Sequence, residues 1–472
     1  MPSSRDERTT WNPTGVETPG RSCEAGPNPK EIDDMDHDCS RRGFLVGASA
    51  TAMTGSLLAN RTAPSETIRI GLIGCGGIMN AHSRSLSHFA PHVHVGWLCD
   101  VDPRQMNRIA GVVSRYQKAA PRRTSRFEDV VEDANIDVVI IGTPHHWHAR
   151  IALLALAAGK DIYVEKPMSH VFNEGPAIIA AAKKYRRVVQ HGSQMRSSPV
   201  TAAAGKLLDE GLLGEVRITK AWNVQRRGTR KVVADVKPPA DVDYDRWLGP
   251  APVRGFNVNR FHSNWRVYRD YGNGDIGDDG IHDLDMARWG LGVTTQPIRI
   301  TAHGSHSVYR GDNRGDREYP DNMMVNYEYE DGRVLIYEDR LFTPYGLHGY
   351  DSGNAFYGTD GYMIFSRRGA FSTFLGPKGK PGPTEPKETR TQRGYAPHMA
   401  NFLESVRSRN FKTRASAEIG HLSCSLVHLG EVAYRSRGRL DFDPKTQVFK
   451  DAPEATAMLT KNYRKGYELP EV

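Results

Sequence analysis

Two patterns of hydrophobic and polar positions follow one another along the chain after residue 66. From 67 to 195, short apolar and β-branched runs alternate with segments of helical periodicity. Parallel strands need a long crossover between them, which is commonly a helix, so the alternation predicts an α/β domain with a doubly wound parallel sheet. The predicted strands lie at 67–74, 92–100, 136–141, 161–167 and 187–192, and one helix is predicted at about 148–158.

Residues 196–472 follow a different pattern, in which apolar and polar positions alternate along several runs. Such runs predict half-exposed strands. They lie at 216–222, 323–330 and 333–338. The Gly- and Pro-rich stretch 376–386 predicts a loop or an arm, and 396–408 predicts a helix. We therefore expect a second domain over 196–472.

Residues 1–66 predict a leader. Residues 1–38 are polar and rich in Pro, Gly and acidic residues, a composition typical of disorder. Arg41 and Arg42 precede a weakly apolar run at 44–59, which is too short and too rich in small residues to cross a bilayer. An arginine pair in this place is typical of a twin-arginine export signal. We therefore expect a periplasmic or secreted protein.

Two points about the leader stay open. The region before the arginines is long, so translation could start at Met1 or at Met35. A chance arginine pair before a small helix is the alternative to an export signal. No clear Ala-x-Ala cleavage site is present, and Ala59 is the predicted end of the signal.

Composition excludes several classes of protein. With 38% hydrophobic and 25% charged residues, the chain is typical of a soluble globular protein, and we expect no membrane integration of the mature protein. The net charge of +8 is spread among nearly as many acids, so no nucleic-acid partner is expected. Five cysteines without a Cys-x-x-Cys pair predict neither a disulfide framework nor a thiolate zinc site.

A glycine loop follows the first predicted strand. A strand, a glycine turn and a helix in this order are typical of dinucleotide binding, because the helix N-terminus favours a phosphate. Met79 stands where the third glycine of the pattern is usual. The cofactor-binding candidates in the loop are Gly74, Gly76, Gly77, Ile78 and Met79.

The second predicted strand ends in Asp100, 24 residues after Gly76. A carboxylate there can accept hydrogen bonds from an adenosine ribose and would repel a 2′-phosphate. This favours NAD, with NADP less expected. The alternative is an aspartate that caps the next helix, for which Asp102 is the better candidate.

The glycine loop, Asp100, Thr143-Pro144, Glu165-Lys166-Pro167 and Asp278-x-x-x-His282 occur in this order. Together they resemble the Gfo/Idh/MocA oxidoreductase superfamily, which includes inositol dehydrogenases and glucose–fructose oxidoreductase. The resemblance covers about residue 67 to the C-terminus. It implies a second domain with a large, mostly antiparallel sheet, through which subunits pair as a homo-oligomer.

The resemblance also implies catalytic roles for Lys166, Asp278 and His282. Lys166 follows a strand and can hydrogen-bond the substrate hydroxyl and the nicotinamide ribose. Asp278 and His282 are four residues apart, which predicts one face of a helix. His282 would accept the hydroxyl proton, and Asp278 would orient it or tune its pKa.

Further positions are carried over from the family or suggested by their chemistry. We expect no metal, although His145, His146 and His148 are close in sequence. The other cofactor-binding candidates are Thr143, Pro144, His148, Glu165, Lys166 and Gln194, and the substrate-binding candidates are Arg196, Trp265 and Arg266.

The sequence therefore predicts an oxidoreductase that transfers a hydride to or from a sugar, a sugar acid or a cyclitol. An exported enzyme meets little free NAD, so we expect the cofactor to stay tightly bound. Two alternatives remain: a redox-neutral glycosidase that uses bound NAD, and a non-catalytic binding protein that kept the fold.

Overall fold

Two β-sheets organise the part of the chain that the structure describes. This computed structural model describes residues 67–228, 231–262, 264–385 and 395–472. The predicted leader, 1–66, lies outside the described residues. The strands are β1 (Ile68–Ile73), β2 (Val93–Cys99), β3 (Arg122–Thr124), β4 (Val138–Ile141), β5 (Asp161–Val164), β6 (Val189–His191), β7 (Val216–Asn223), β8 (Arg299–Ser305), β9 (Asn322–Glu328), β10 (Val334–Arg340), β11 (Ser352–Gly358), β12 (Gly361–Ser366), β13 (Ala370–Leu375), β14 (Lys380–Glu385), β15 (Arg439–Asp443) and β16 (Val448–Phe449).

The helices connect these strands or pack on the sheets. None of those over the described residues is long and apolar enough to cross a membrane. They are α1 (Gly77–Leu86), α2 (Pro103–Val113), α3 (Phe127–Glu132), α4 (His145–Ala157), α5 (Glu174–Tyr185), α6 (Pro199–Asp209), α7 (Tyr244–Leu248), α8 (Gly274–Asp278), α9 (Gly280–Leu291), α10 (Tyr395–Ser408), α11 (Ala417–Arg435) and α12 (Pro453–Ala457).

The first sheet has six parallel strands in the order β3-β2-β1-β4-β5-β6. The order reverses between β1 and β4, which is where open α/β sheets bind their ligands. Both faces are covered, so β4 and β5 are buried along their whole length. The predicted doubly wound parallel sheet is confirmed.

The second sheet has ten strands in the order β14-β13-β12-β11-β7-β10-β9-β8-β15-β16. Its neighbours pair antiparallel except β7 with β10, which confirms the expected mostly antiparallel sheet. The loop predicted at 376–386 is wrong for most of its length. A turn after Leu375 returns the chain as the edge strand β14. Proline is tolerated on an edge strand, where fewer N–H groups are needed for pairing.

Helix α10 crosses from the second half of the chain to the first sheet. Its apolar side chains Met399, Phe402, Leu403 and Val406 are buried in one cluster with residues of β1, β2 and β4. Helices α9 and α11 pack against the second sheet. The first sheet is therefore completed by residues more than 200 positions later in the chain.

Gly74 begins the turn after β1 and cannot carry a side chain without strain. Its φ is +83°, and a Cβ there would lie 2.6 Å from the backbone nitrogen of Thr143. Both the conformation and the close approach to the turn after β4 require glycine.

We expect Gly74→Ala to lower the free energy of unfolding by at least about 1–3 kcal/mol. Gly111→Ala is the matched control, because Gly111 lies in helix α2 with nothing within 4 Å of its Cβ position. That change should be neutral or stabilising by up to about 1 kcal/mol. Urea unfolding measures both, and equal stabilities would show that the turn tolerates a side chain.

Candidate active site

A cavity of about 650 Å³ opens at the carboxyl ends of β1, β2, β4 and β5. Residues of the second half of the chain close its other side. The cavity brings together most of the site residues predicted from the sequence. These are Gly74, Gly76, Gly77, Ile78, Asp100, Thr143, Pro144, His148, Glu165, Lys166, Gln194, Trp265, Arg266, Asp278 and His282.

The glycine loop forms one wall of the cavity. Helix α1 begins at Gly77, so the free N–H groups of its first turn face the loop. Nothing lies within 4 Å of the positions that a Cβ would take at Gly76 and Gly77. Side chains there would fill space at a helix N-terminus that suits a diphosphate. The loop therefore fits a dinucleotide.

Asp100 lies at the far end of the same wall. Its carboxylate accepts hydrogen bonds from the backbone N–H groups of Cys75, at 2.6 Å, and Asp102, at 2.9 Å. Burial raises the pKa of Asp100 to about 6, although both backbone donors oppose the shift. Asp102 is the residue that caps helix α2. Asp100 thus holds the glycine loop and faces the cavity.

Lys166 and Asp278 form an ion pair at the opposite end of the cavity. Lys166 Nζ donates to Asp278 Oδ1 at 2.8 Å and also contacts the Asp278 carbonyl oxygen. Arg266 Nε lies 2.8 Å from the other carboxylate oxygen. Burial alone would raise the pKa of Asp278, but the charges of Lys166 and Arg266 hold it well below its usual range. Asp278 therefore stays ionised and fixes both cations.

His282 lines the cavity beside this ion pair. Burial, followed by the charges of Lys166 and Arg367, lowers its pKa to about 3. The imidazole is therefore neutral at physiological pH and able to accept a proton. The predicted role of Asp278 in orienting His282 is wrong, because Asp278 ends helix α8 and pairs with Lys166, whereas His282 lies in the first turn of α9.

Glu165 is fixed from two sides. His82 Nε2 lies 2.8 Å from Glu165 Oε1, and Gln194 Nε2 donates to the same oxygen at 2.9 Å. Burial raises the pKa of Glu165, but the His82 hydrogen bond and charge outweigh it and bring the pKa to about 2. His82 could not be predicted from the sequence, because nothing in helix α1 marks it as facing β5.

The three neighbouring histidines do not form a metal site. His148 lies between the carbonyl oxygens of Pro167, at 2.7 Å, and Thr143, at 2.8 Å. It thereby joins the turns after β4 and β5. His145 lies edge-on to Trp265, with ring centroids 4.6 Å apart. Over the described ranges, no three His, Cys, Asp or Glu side chains could hold a metal ion.

Two predicted site residues lie outside the cavity. Met79 is fully buried in the core beneath the glycine loop. Arg196 does not line the cavity either, because it forms a buried ion pair with Asp285, with Nε 2.8 Å from Oδ2 and Nη2 2.8 Å from Oδ1. The side chains of Met79 and Arg196 therefore do not reach the cavity, and the cofactor contact of Met79 and the substrate contact of Arg196 stay predictions.

Two family models match the chain over most of its length. An oxidoreductase family with an NAD-binding Rossmann fold matches residues 68–193. The corresponding C-terminal α/β domain matches 200–343 and 383–469. The chain belongs to the Gfo/Idh/MocA oxidoreductase family. This confirms the predicted family, the oxidoreductase class and NAD as cofactor.

Individual members of the family show how far the similarity extends. A levoglucosan dehydrogenase from Pseudarthrobacter phenanthrenivorans is 26% identical over 324 residues, which are 64% of this chain and 74% of the relative. A scyllo-inositol 2-dehydrogenase (NAD⁺) from Bacillus subtilis is 26% identical over 356 residues, 75% of this chain and 89% of the relative. The solved levoglucosan dehydrogenase complex with NADH and levoglucosan shares the fold, with a TM-score of 0.61 at 20% identity, covering 79% of this chain and 99% of that one.

This member of the Gfo/Idh/MocA family covers its cavity with an aromatic segment, of which only Trp265 and Arg266 were predicted as site residues from the sequence. We call residues 244–262 and 264–271 the roof. Its apolar side chains form a separate buried cluster. Phe261 and His262 line the Asp100 end of the cavity, and Trp265 and Arg266 line the Lys166 end. His262 Nε2 lies 3.0 Å from Asp102 Oδ2, which ties the roof to the first sheet.

The C-terminal residues hold the roof in place. Arg464 donates two hydrogen bonds to Asp245 of α7, at 2.8 and 2.7 Å. Lys461 Nζ lies 2.9 Å from the buried Glu174 of α5, and the Tyr467 ring meets Trp147 of α4 edge-on. Residues 461–467, which we call the tail, therefore join the roof to the helices of the first sheet.

We expect Arg196→Gln to reduce stability by about 3–5 kcal/mol, because Asp285 would keep a buried charge without its main partner. The affinity for NAD⁺ should change less than twofold, since Arg196 does not line the cavity. Urea unfolding and NAD⁺ titration measure the two effects. Unchanged stability together with a raised KM for substrate would support the substrate role predicted from the sequence.

Proposed function

We propose that this protein is an NAD-dependent dehydrogenase that oxidises a CH–OH group of a sugar, a sugar acid or a cyclitol. The observation that carries the proposal is the convergence of Lys166, His282 and the glycine loop on one cavity. The chain's similarity to a levoglucosan dehydrogenase and a scyllo-inositol 2-dehydrogenase supports a cyclic, hydroxyl-rich substrate.

The side chains divide the work of oxidising an alcohol. Bound NAD⁺ supplies the hydride acceptor. Lys166, held by Asp278, donates a hydrogen bond to the substrate hydroxyl and so favours the developing alkoxide. His282 accepts the hydroxyl proton as general base, for which its neutral state at pH 7 is required.

The wall opposite the glycine loop suits a sugar ring. Trp265 lines the cavity, and the Arg266 guanidinium carbon lies 4.5 Å from the centroid of its indole. An aromatic face packs against the C–H side of a ring, and polar neighbours bind its hydroxyls. Trp265 and Arg266 are therefore the proposed substrate-binding residues.

We expect His282→Ala to lower kcat by about 10²–10⁴-fold, because it removes the general base. His303→Ala, on the exposed face of β8, is the control and should keep full activity. In the native protein, kcat should not fall with an ordinary histidine pKa between pH 7 and 5, since the His282 pKa of about 3 leaves the ring neutral there.

NADH formation followed at 340 nm on cyclic polyols and sugars measures these rates. Wild-type activity in His282→Ala would refute the assigned base. Release of aglycone from a chromogenic glycoside without net NADH would favour the redox-neutral glycosidase instead.

We further propose that the protein is exported to the periplasm or secreted with its cofactor tightly bound. The Arg41-Arg42 pair supports export. The roof supports retention of the cofactor, because it covers the cavity from the Asp100 end to the Lys166 end. Contacts of His262 and of the tail hold the roof in this position.

Gentle purification followed by denaturation and mass spectrometry should release close to one NAD(H) per chain. Lowering the pH below about 6 protonates Asp100 and removes a charged acceptor for the ribose, so NAD should dissociate faster at pH 5 than at pH 8. Asp100→Asn should lose this difference. Absence of bound nucleotide, together with no thermal shift on adding NAD⁺, would favour a non-catalytic binding protein.

We also propose that the protein forms a homo-oligomer through the outer face of the second sheet. Ile218 of β7, Met324 of β9 and Tyr357 of β11 are exposed on this sheet by 41%, 49% and 38%. Exposed apolar side chains grouped on a sheet are typical of protein interfaces.

A further inference from the structure

The tight turn between β12 and β13 of the second sheet places two arginines at the Lys166 end of the cavity. Arg367 and Arg368 lie between β12 and β13, and both line the cavity with Lys166 and His282. Arg368 Nε donates to Asp351 Oδ1 at 3.1 Å. The Arg367 side chain is only 11% exposed. Neither residue was predicted from the sequence to belong to the site.

The carboxylates at this end already have cationic partners. Asp278 pairs with Lys166 and Arg266, each at 2.8 Å. Asp279 is contacted by Arg227 and accepts a hydrogen bond from Gln225 Nε2 at 3.1 Å. Asp279 therefore has other partners besides Arg367. The charge of Asp279 does not by itself explain why the guanidinium of Arg367 is buried here in addition to that of Arg227.

The N–H donors of the Arg367 guanidinium are not all matched by an acceptor. Its Nη1 and Nη2 both lie 3.1 Å from the same oxygen, Asp279 Oδ1, rather than forming one bond to each carboxylate oxygen. Its Nε is buried and has no hydrogen-bond partner. A guanidinium has five N–H donors arranged to match the two oxygens of a carboxylate. Arg367 therefore keeps donor capacity beside the cavity.

The charged side chains around Arg367 favour an anion as the acceptor for its N–H donors. Four cations and three carboxylates line this end of the cavity, and His282 is neutral. The cations are Lys166, Arg266, Arg367 and Arg368, and the carboxylates are Glu165, Asp278 and Asp279. Hydrogen bonds from a charged donor to a carboxylate are about twice as strong as those between neutral groups. A neutral polyol would gain less from this wall than an acid.

We propose that Arg367 binds a carboxylate of the substrate, so that the protein acts on sugar acids in preference to neutral sugars. This inference rests on the proposed function and narrows its substrate class. The carboxylate lies against Arg367, and the hydroxyl to be oxidised lies against Lys166 and His282. Arg367 is then a specificity-determining residue that bears on proton transfer only through its charge, which helps to lower the pKa of His282.

The test compares D-glucuronate and D-gluconate with D-glucose, and D-galacturonate with D-galactose, as substrates of the NAD-loaded protein. The best acid should exceed its neutral counterpart in kcat/KM by about 10-fold or more. Arg367→Gln should raise KM for the acid by about 10–100-fold and change kcat and neutral-sugar activity little. Arg367→Lys should recover part of the loss.

Two variants control for folding and charge. Arg367→Gln with Asp279→Asn keeps the local charge balanced, so its effect does not depend on an unpaired buried carboxylate. Arg439→Gln removes a charge from an exposed arginine of β15 and should leave both substrate classes unaffected.

Binding of the same probes to the NADH-loaded protein, followed by quenching of tryptophan fluorescence, gives a readout independent of turnover. Saturable binding of an acid that Arg367→Gln weakens supports the inference even without turnover. Turnover of neutral sugars with no preference for acids overturns it and leaves the proposed function standing. Two further results would also overturn it. One is a kcat/KM that exceeds that of glucose for glucose 6-phosphate but for no sugar acid, and the other is that no acid binds in a way that depends on Arg367.

Discussion

The ion pair between Lys166 and Asp278 is the interaction on which the catalytic end of the molecule depends. Lys166 follows β5 of the first sheet, and Asp278 is the last residue of helix α8, just before α9, which packs on the second sheet. Removing two charges from water is costly unless both are fully hydrogen-bonded. Arg266 and the Asp278 carbonyl oxygen provide the additional partners, so the pair holds the two halves of the chain at a fixed distance across the cavity.

The environment keeps three neighbouring groups deprotonated, so that two carry a negative charge and the third is neutral. Glu165 and Asp278 remain charged because His82, Lys166 and Arg266 compensate their burial. His282, close to the same cations, remains neutral because nothing compensates its own burial strongly enough. Both halves of the chain line the cavity: the first contributes the glycine loop and Lys166, and the second contributes His282, Trp265 and Arg266.

Much of the first sheet and its loop could be predicted, because those features follow from local patterns. The strand, glycine turn and helix around Gly74 are contiguous, and so is the strand that ends at Asp100. Long-range pairing could not be predicted in the same way. Arg196 resembled a ligand contact until its partner Asp285, 89 residues later, was known. His82 and Arg367 likewise reach the site through packing between distant elements, and β14 formed despite Gly and Pro because it lies at a sheet edge.

The ties between the tail and the roof impose an order on biosynthesis. Proteins are made from the N-terminus, and domains generally begin to fold as they emerge. Here the glycine loop is synthesised before the helix α10 that covers the first sheet and before the Arg464 that fastens the roof. A nascent chain that lacks Arg464 therefore lacks a closed nucleotide site. The roof can retain NAD only after Arg464 has been synthesised and has paired with Asp245.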